Sequence, residues 1–253
     1  MLKKRIIPAL LLKNNRMVKG VNFNNYRDTG NPKTAVRIYS SQDADELIFI
    51  DILRNNNSKN NLVDFLNEVS TECSMPLTAG GGIKNENDVR ELINAGADKV
   101  IINTAAYENP KMISNAVTQF GSQCIIGGID YRLHNSKKTV FINCGKSITQ
   151  DNPVDYAKKI EDLGVGEIYL NSIDLDGTMK GYDIDIVQKI SDKLSIPLIA
   201  SGGAGNFMHL VDLFSKTKVS AASCASLFHF GDNNPIRARS YLKNNDIPMR
   251  RLK

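Results

Sequence analysis

Asp130 is the residue whose setting most demands a chemical explanation. It ends the apolar run IIGGI at 125–129, where a carboxylate costs several kcal/mol unless something uses or pairs it. General acid or base work suits such a group. The chain repeats itself, and the position matching Asp130 in the first half is Leu11. Leucine neither gives nor takes a proton, so a mechanism needing two opposed carboxylates is broken or has moved. Asp51, after the run LIFI, is a substitute acid or, equally, a hydrogen-bonding support.

Glycines gather at two places, Gly80, Gly81 and Gly82, then Gly202, Gly203 and Gly205. Bare backbone N–H groups beside a helix start cradle phosphate; tight turns are the plainer alternative. Both clusters are followed one strand later by a small or hydroxylated pair, Asn103-Thr104 and Ala225-Ser226. That duplication favours two phosphate sites, one in each half. The segment Asp174 to Thr178, with Asp176 and Gly177, adds donors to the second, its alternative being an Asx-type turn. The long stretch from Lys13 to Pro32 reads as a lid or a solvated flap. In it Lys19 and Arg27 close over an anionic substrate, Phe23 stacks on a ring, and Gly20 and Gly30 serve as hinges. Arg5, Glu46, Lys99 and Glu167 each begin a strand-like run, and two cations with two anions form a salt-bridge plug or, more sharply, a gate. Asp98 marks a partner-docking surface or is a solvated acid. His134, His209 and His229 have no metal-like spacing, and neither a metal nor a cofactor is expected.

These residues must be positioned by alternating elements. Strand-like runs occur at 5–12, 46–52, 76–79, 98–102, 124–130, 167–171, 197–200 and 220–224, with helical spacing at 60–72, 87–95, 110–120, 153–163, 184–194 and 207–214. Alternating β and α units demand a parallel sheet, and eight of them in 253 residues match an α/β fold of the (β/α)8 TIM barrel type, a doubly wound sheet being the runner-up. Glu46 corresponds to Glu167 and Met75 to Ile196, both 121 positions on, while Leu11 and Asp130 lie 119 apart. One unit written twice predicts a single barrel domain over 1–253, built from half-barrels at about 1–120 and 121–242 with a tail at 243–253; its last helix and tail run from Tyr241 to Lys253.

Composition narrows the partners. The chain is 42% hydrophobic and 23% charged, with a net charge of +5, so it buries an ordinary core and is not disordered. Its basic residues are scattered, which argues against nucleic acid and suits an anionic small substrate. Apolar runs are too short for a membrane span or a signal segment, and Cys73, Cys124, Cys144 and Cys224 lack C-x-x-C spacing. A cytoplasmic protein with reduced thiols is expected.

The residues resemble the HisF family, the cyclase subunit of imidazole glycerol phosphate synthase, from Lys4 to about Leu242. The resemblance rests on KRII (4–7), NFNNYRDTG (22–30), TAGGGI (78–83), GADKVIINTAA (96–106), FGSQ (120–123), SIDLDGTMKGYD (172–183), IASGGAG (199–205) and SLFHF (226–230). It implies the acceptor half of a glutamine amidotransferase. A HisH-like glutaminase would dock near Asp98, in a heterodimer, and ammonia would pass the Arg5, Glu46, Lys99 and Glu167 gate through the barrel. The family's substrate, phosphoribulosyl formimino carboxamide ribotide, has a phosphate at each end and is processed with one aspartate on the first strand and one on the fifth. Here Leu11 replaces the first of these, Asp130 remains, and Asn14-Asn15 replace an aspartate-glycine pair. That departure is most like WbuZ-type paralogues associated with glycosyl amidation. It implies acetamidino formation on a surface-polysaccharide or nonulosonic-acid sugar, from a phosphorylated or nucleotide-linked substrate and with a separate sugar amidotransferase. The alternatives are a genuine imidazole glycerol phosphate cyclase of histidine biosynthesis and a non-catalytic scaffold that activates the glutaminase.

Overall fold

The computed structural model describes residues 3–53 and 59–250. In chain order they form β1 (Arg5–Lys13), β2 (Arg16–Val21), β3 (Asn24–Gly30), α1 (Pro32–Ser41), β4 (Leu47–Asp51), α2 (Lys59–Val69), β5 (Leu77–Gly80), α3 (Glu86–Asn94), β6 (Lys99–Ile102), α4 (Thr104–Glu108) and α5 (Pro110–Phe120). The second half continues with β7 (Ile125–His134), β8 (Lys137–Ile142), β9 (Ser147–Ile148), α6 (Pro153–Asp162), β10 (Glu167–Ser172), α7 (Ile184–Lys193), β11 (Leu198–Ser201), α8 (Phe207–Lys216), β12 (Ala221–Cys224), α9 (Ser226–His229) and α10 (Pro235–Lys243). Strands β1, β4, β5, β6, β7, β10, β11 and β12 pair in parallel, and β12 returns to β1 through Arg5 and Ala221, so the sheet closes. The fold is the expected (β/α)8 TIM barrel.

Closure gives every barrel strand two buried faces. Outward residues such as Leu10, Leu47 and Ile102 pack beneath the helices, while Ile7, Ile48, Ile101, Ile126, Tyr169 and Ile199 fill the barrel interior. The helices start where polar side chains stop them. Asn31, Asn85, Asn152, Asp183, Asn206 and Asn234 accept backbone N–H bonds at the starts of α1, α3, α6, α7, α8 and α10, satisfying donors that a first turn leaves open. No helix among the described residues is long and apolar enough to cross a membrane.

Three expectations are corrected. The stretch 13–32 is not a loop: β1 runs to Lys13, turns at Asn14 and Asn15 with positive φ of 49° and 61°, and pairs antiparallel through β2 to β3. Two left-handed residues in a two-residue turn match the strands' right-handed twist, and asparagine tolerates that conformation. Helix α1, absent from the sequence reading, follows at once. Likewise β7 extends past Asp130 and folds back on β8 and β9. The final helix begins at Pro235 rather than Tyr241, and the following segment returns under the barrel, where Lys4 bridges to Met249; residues 251–253 of the expected tail lie outside the described residues.

Candidate active site

Strand alternation determines which side chains reach the barrel interior. On β10 the inward positions are Glu167, Tyr169 and Asn171, rising from the N-terminal end to the C-terminal mouth. At the N-terminal end Arg5 binds Glu46 at 2.5 Å and Glu167 at 2.7 Å, while Lys99 binds Glu46 at 3.1 Å and Glu167 at 2.6 Å. The four residues expected as a plug or gate therefore form a closed ring. Burial pushes Glu167 upward, but the hydrogen bonds and charges of Arg5 and Lys99 outweigh it and hold the carboxylate below its ordinary range. Asp98, beside this ring, is exposed, and its carboxylate accepts the Leu77 N–H at 2.8 Å. Its side chain is thus already employed in fixing the start of β5.

The opposite end opens into a cavity of about 620 Å³. Asp130 projects into it, and burial lifts its pKa to about 7, against the opposing pull of bonds from Asn171 and Asn103. Asn103 Nδ2 donates to one carboxylate oxygen at 2.9 Å and Asn171 Nδ2 to the other at 3.4 Å. Leu11 lines the same cavity with Ile50 and Ile52. Asp130 is thus a buried carboxyl that titrates near neutrality, in a cavity that Leu11, Ile50 and Ile52 line with aliphatic surface. Asp51 is 8% exposed, accepts the Leu53 N–H at 2.8 Å and also lines the cavity.

Of the residues expected to bind phosphate, Gly81, Gly82, Asn103, Thr104, Asp176 and Ala225 line this cavity, whereas Gly177, Gly202, Gly203 and Ser226 do not. Helices α4 and α9, which follow β6 and β12, lack the side-chain caps seen on the longer helices above. Their first turns are therefore not closed by their own side chains, which suits an anion at each. Asn103 does not turn its amide to that task, because the group is committed to Asp130. Asp176 differs too: its carboxylate binds Lys19 Nζ at 2.6 Å, both side chains being largely buried. Burial raises Asp176, and the lysine charge pulls it back. This pair, with the Asn22 N–H bonded to the Asp176 carbonyl at 2.8 Å, fastens the β2–β3 ribbon to the loop after β10. Gly177 has φ 76°, and a Cβ there would strike the Gly20 carbonyl, so only glycine lets the two segments approach. Phe23 lines the cavity, but Arg27 is exposed on β3 and does not.

Sequence reasoning missed Asn171, Tyr26, Tyr169, Ser201, Lys84 and Lys146, all of which line the cavity. For Asn171 a signal existed: its first-half counterpart is Ile50, so an amide stands where the repeat has an apolar inward residue. Tyr169 spans the interior below it, donating to Ser201 Oγ at 2.8 Å. Lys84 and Lys146 put positive charge on the wall of the cavity that Gly82 and Thr104 also line, and no spacing rule announces them. His229 joins Tyr39 and the Ala9 carbonyl at 3.3 and 3.1 Å; burial lowers it to about 4, leaving it neutral.

Known proteins resemble this chain along its whole length. The family described as histidine biosynthesis protein matches residues 5–234. The imidazole glycerol phosphate synthase subunit HisF of Clostridium botulinum (strain Kyoto / Type A2) is 42% identical over 252 residues, covering 99% of this chain and 100% of the relative. The subunit of the same name from Bacillus cereus (strain ATCC 10987 / NRS 248) is 42% identical over 251 residues, and that of Hydrogenobaculum sp. (strain Y04AAS1) 44% over 251; each match covers 99% of this chain and 100% of the relative.

Proposed function

Because the chain belongs to the HisF family of histidine biosynthesis proteins, we propose that it is the ammonia-accepting, cyclase-type subunit of a glutamine-dependent synthase, acting on an anionic substrate at the barrel mouth. The observation that carries this reading is one barrel interior with a closed charge ring at its floor and Asp130 at its mouth. A HisH-like glutaminase docks at the floor as the partner subunit and releases ammonia against the ring. Displacing the Lys99 side chain opens the axis while Arg5 keeps its bonds to both Glu46 and Glu167. Ammonia then reaches the mouth as a neutral molecule. There its nitrogen adds to an electrophilic carbonyl carbon of the acceptor, the C=O π pair moving onto the oxygen, and the proton the nitrogen loses passes by way of Asp130 to that oxygen, a transfer that a proton affinity near neutrality suits. The uncapped helix starts of α4 and α9, with Lys84 and Lys146, hold the substrate's phosphates.

The relatives, imidazole glycerol phosphate synthase subunits by name, support the histidine-pathway reading, whose acceptor by the family resemblance is phosphoribulosyl formimino carboxamide ribotide. Leu11 supports a second reading, in which the site opposite Asp130 has given up cyclisation and ammonia serves amidation of a sugar with a separate sugar amidotransferase. Imidazole glycerol phosphate formation from the ribotide with excess ammonium, beside a Leu11→Asp variant, decides between them. Turnover by the unaltered chain establishes the cyclase. A folded chain without turnover, in which Leu11→Asp gains some, means that the cyclase site has been given up and the ammonia conduit kept, as the second reading requires. In the coupled complex, Lys99→Ala separates glutamine hydrolysis from product formation; unchanged coupling rules out the axial route.

A further inference from the structure

We propose that Asn171 is a positioning residue: together with Asn103 it clamps the Asp130 carboxylate by both oxygens and orients it toward the acceptor. The inference rests on Asp130 being the proton carrier. On the closed sheet Asn171 lies between Asp130 on β7 and Ser201 on β11, register neighbours on the same inward face. Its Nδ2 takes one carboxylate oxygen and Asn103 Nδ2 the other. A carboxylate held on both sides cannot rotate about its last bond without losing a donor, and donors to its ionised form favour that form. Burial pushes the other way, and so does the negative charge of Asp176 across the mouth. The clamp therefore sets a balance that burial would otherwise push further toward the protonated acid.

Packing does not account for an amide at this position. The matching residue of the first half is Ile50, inward-facing and lining the same cavity, so the barrel accepts an aliphatic group there. Asn171 is 7% exposed, and its Oδ1 is buried with no hydrogen-bond partner among the described residues. A side chain present only to fill space would not carry an orphaned acceptor into the core. The amide is retained for what its other end does, which is to hold Asp130.

The test is a carboxyl-carbon NMR titration of the full chain labelled at aspartate, with Asp130→Asn to assign the signal. Asn171→Leu should raise the Asp130 midpoint by roughly one pH unit, a tenfold gain in proton affinity, and Asn103→Leu should move it the same way. Asn171→Ser, which restores a donor in a smaller side chain, should recover part of the shift. A folded Asn171→Leu protein with the unaltered midpoint overturns the proposal, and so does an Asn171→Ser protein shifted as far as Asn171→Leu, since a change of burial without a lost donor would move both alike. The titration needs no substrate. A shifted midpoint in a chain that turns over nothing would therefore refute the functional reading and leave the clamp standing, and turnover with an unmoved midpoint would do the reverse.

Discussion

Burial raises Asp130 to about 7, and the same shift ties its chemistry to stability. The unfolded carboxyl releases its proton near pH 4, whereas the folded one keeps it to about 7, so between those values the folded state binds more protons and stability falls as pH rises. Asp130→Asn removes that penalty. We expect the variant to lose ~10²–10⁴-fold in ammonium-driven turnover while gaining up to about 4 kcal/mol at pH 8 and little at pH 4. Denaturant unfolding at the two pH values, beside turnover, checks both parts. The residue's place at the end of IIGGI was readable without coordinates, since an acid after such a run has to be explained. Its partners were not, because Asn103 and Asn171 reach it from neighbouring strands far away in sequence.

Lys19 and Asp176 illustrate the same separation for whole elements. Each was readable as a mouth residue, but their mutual bond depends on β2 folding back over the barrel to meet the loop after β10. Asp176→Asn weakens the fastening by removing the charge on one side. Amide exchange across β2, at Val18 to Val21, should then quicken by roughly tenfold, with the barrel strands unchanged; equal exchange in both proteins would show that the ribbon is held by its backbone bonds alone. The starts of α5, α6, α7 and α8 match the helical runs at 110, 153, 184 and 207, whereas the asparagine-proline pairs that open α1 and α10 went unread. Asn31→Ala should cost about 1 kcal/mol in an unfolding titration, through the N–H groups of Lys33 and Thr34 that it leaves open. Helix α1 escaped the sequence reading, since the expected lid absorbed its first residue, Pro32.

At the scale of the whole molecule the floor ring joins β1, β4, β6 and β10, so it reports on closure of the barrel. Glu167 titrates below its ordinary range; the stability it contributes is present above pH ~4.3 and fades as pH falls through the lowered value. Glu167→Gln should flatten that acid limb of the stability profile. Arg5→Ala should cost roughly 3 kcal/mol at pH 7, because it leaves Glu46 and Glu167 facing each other with Lys99 alone between them. Thermal unfolding from pH 3 to 8 measures both.

By itself the sequence determined the alternation of eight strands with helices, the repeat that relates Asp130 to Leu11, and the residue types at both ends of the barrel. Periodicity and local composition suffice for these, because each is carried by neighbours along the chain. Only the tertiary structure decided that Lys19 is spent on Asp176, that Arg27 stays outside the mouth, and that Asn171 joins Asn103 on Asp130. Those pairings are made across the closed sheet, where strand register and the return of the β2–β3 ribbon determine which side chains come within hydrogen-bond reach, and no spacing along the chain encodes that distance.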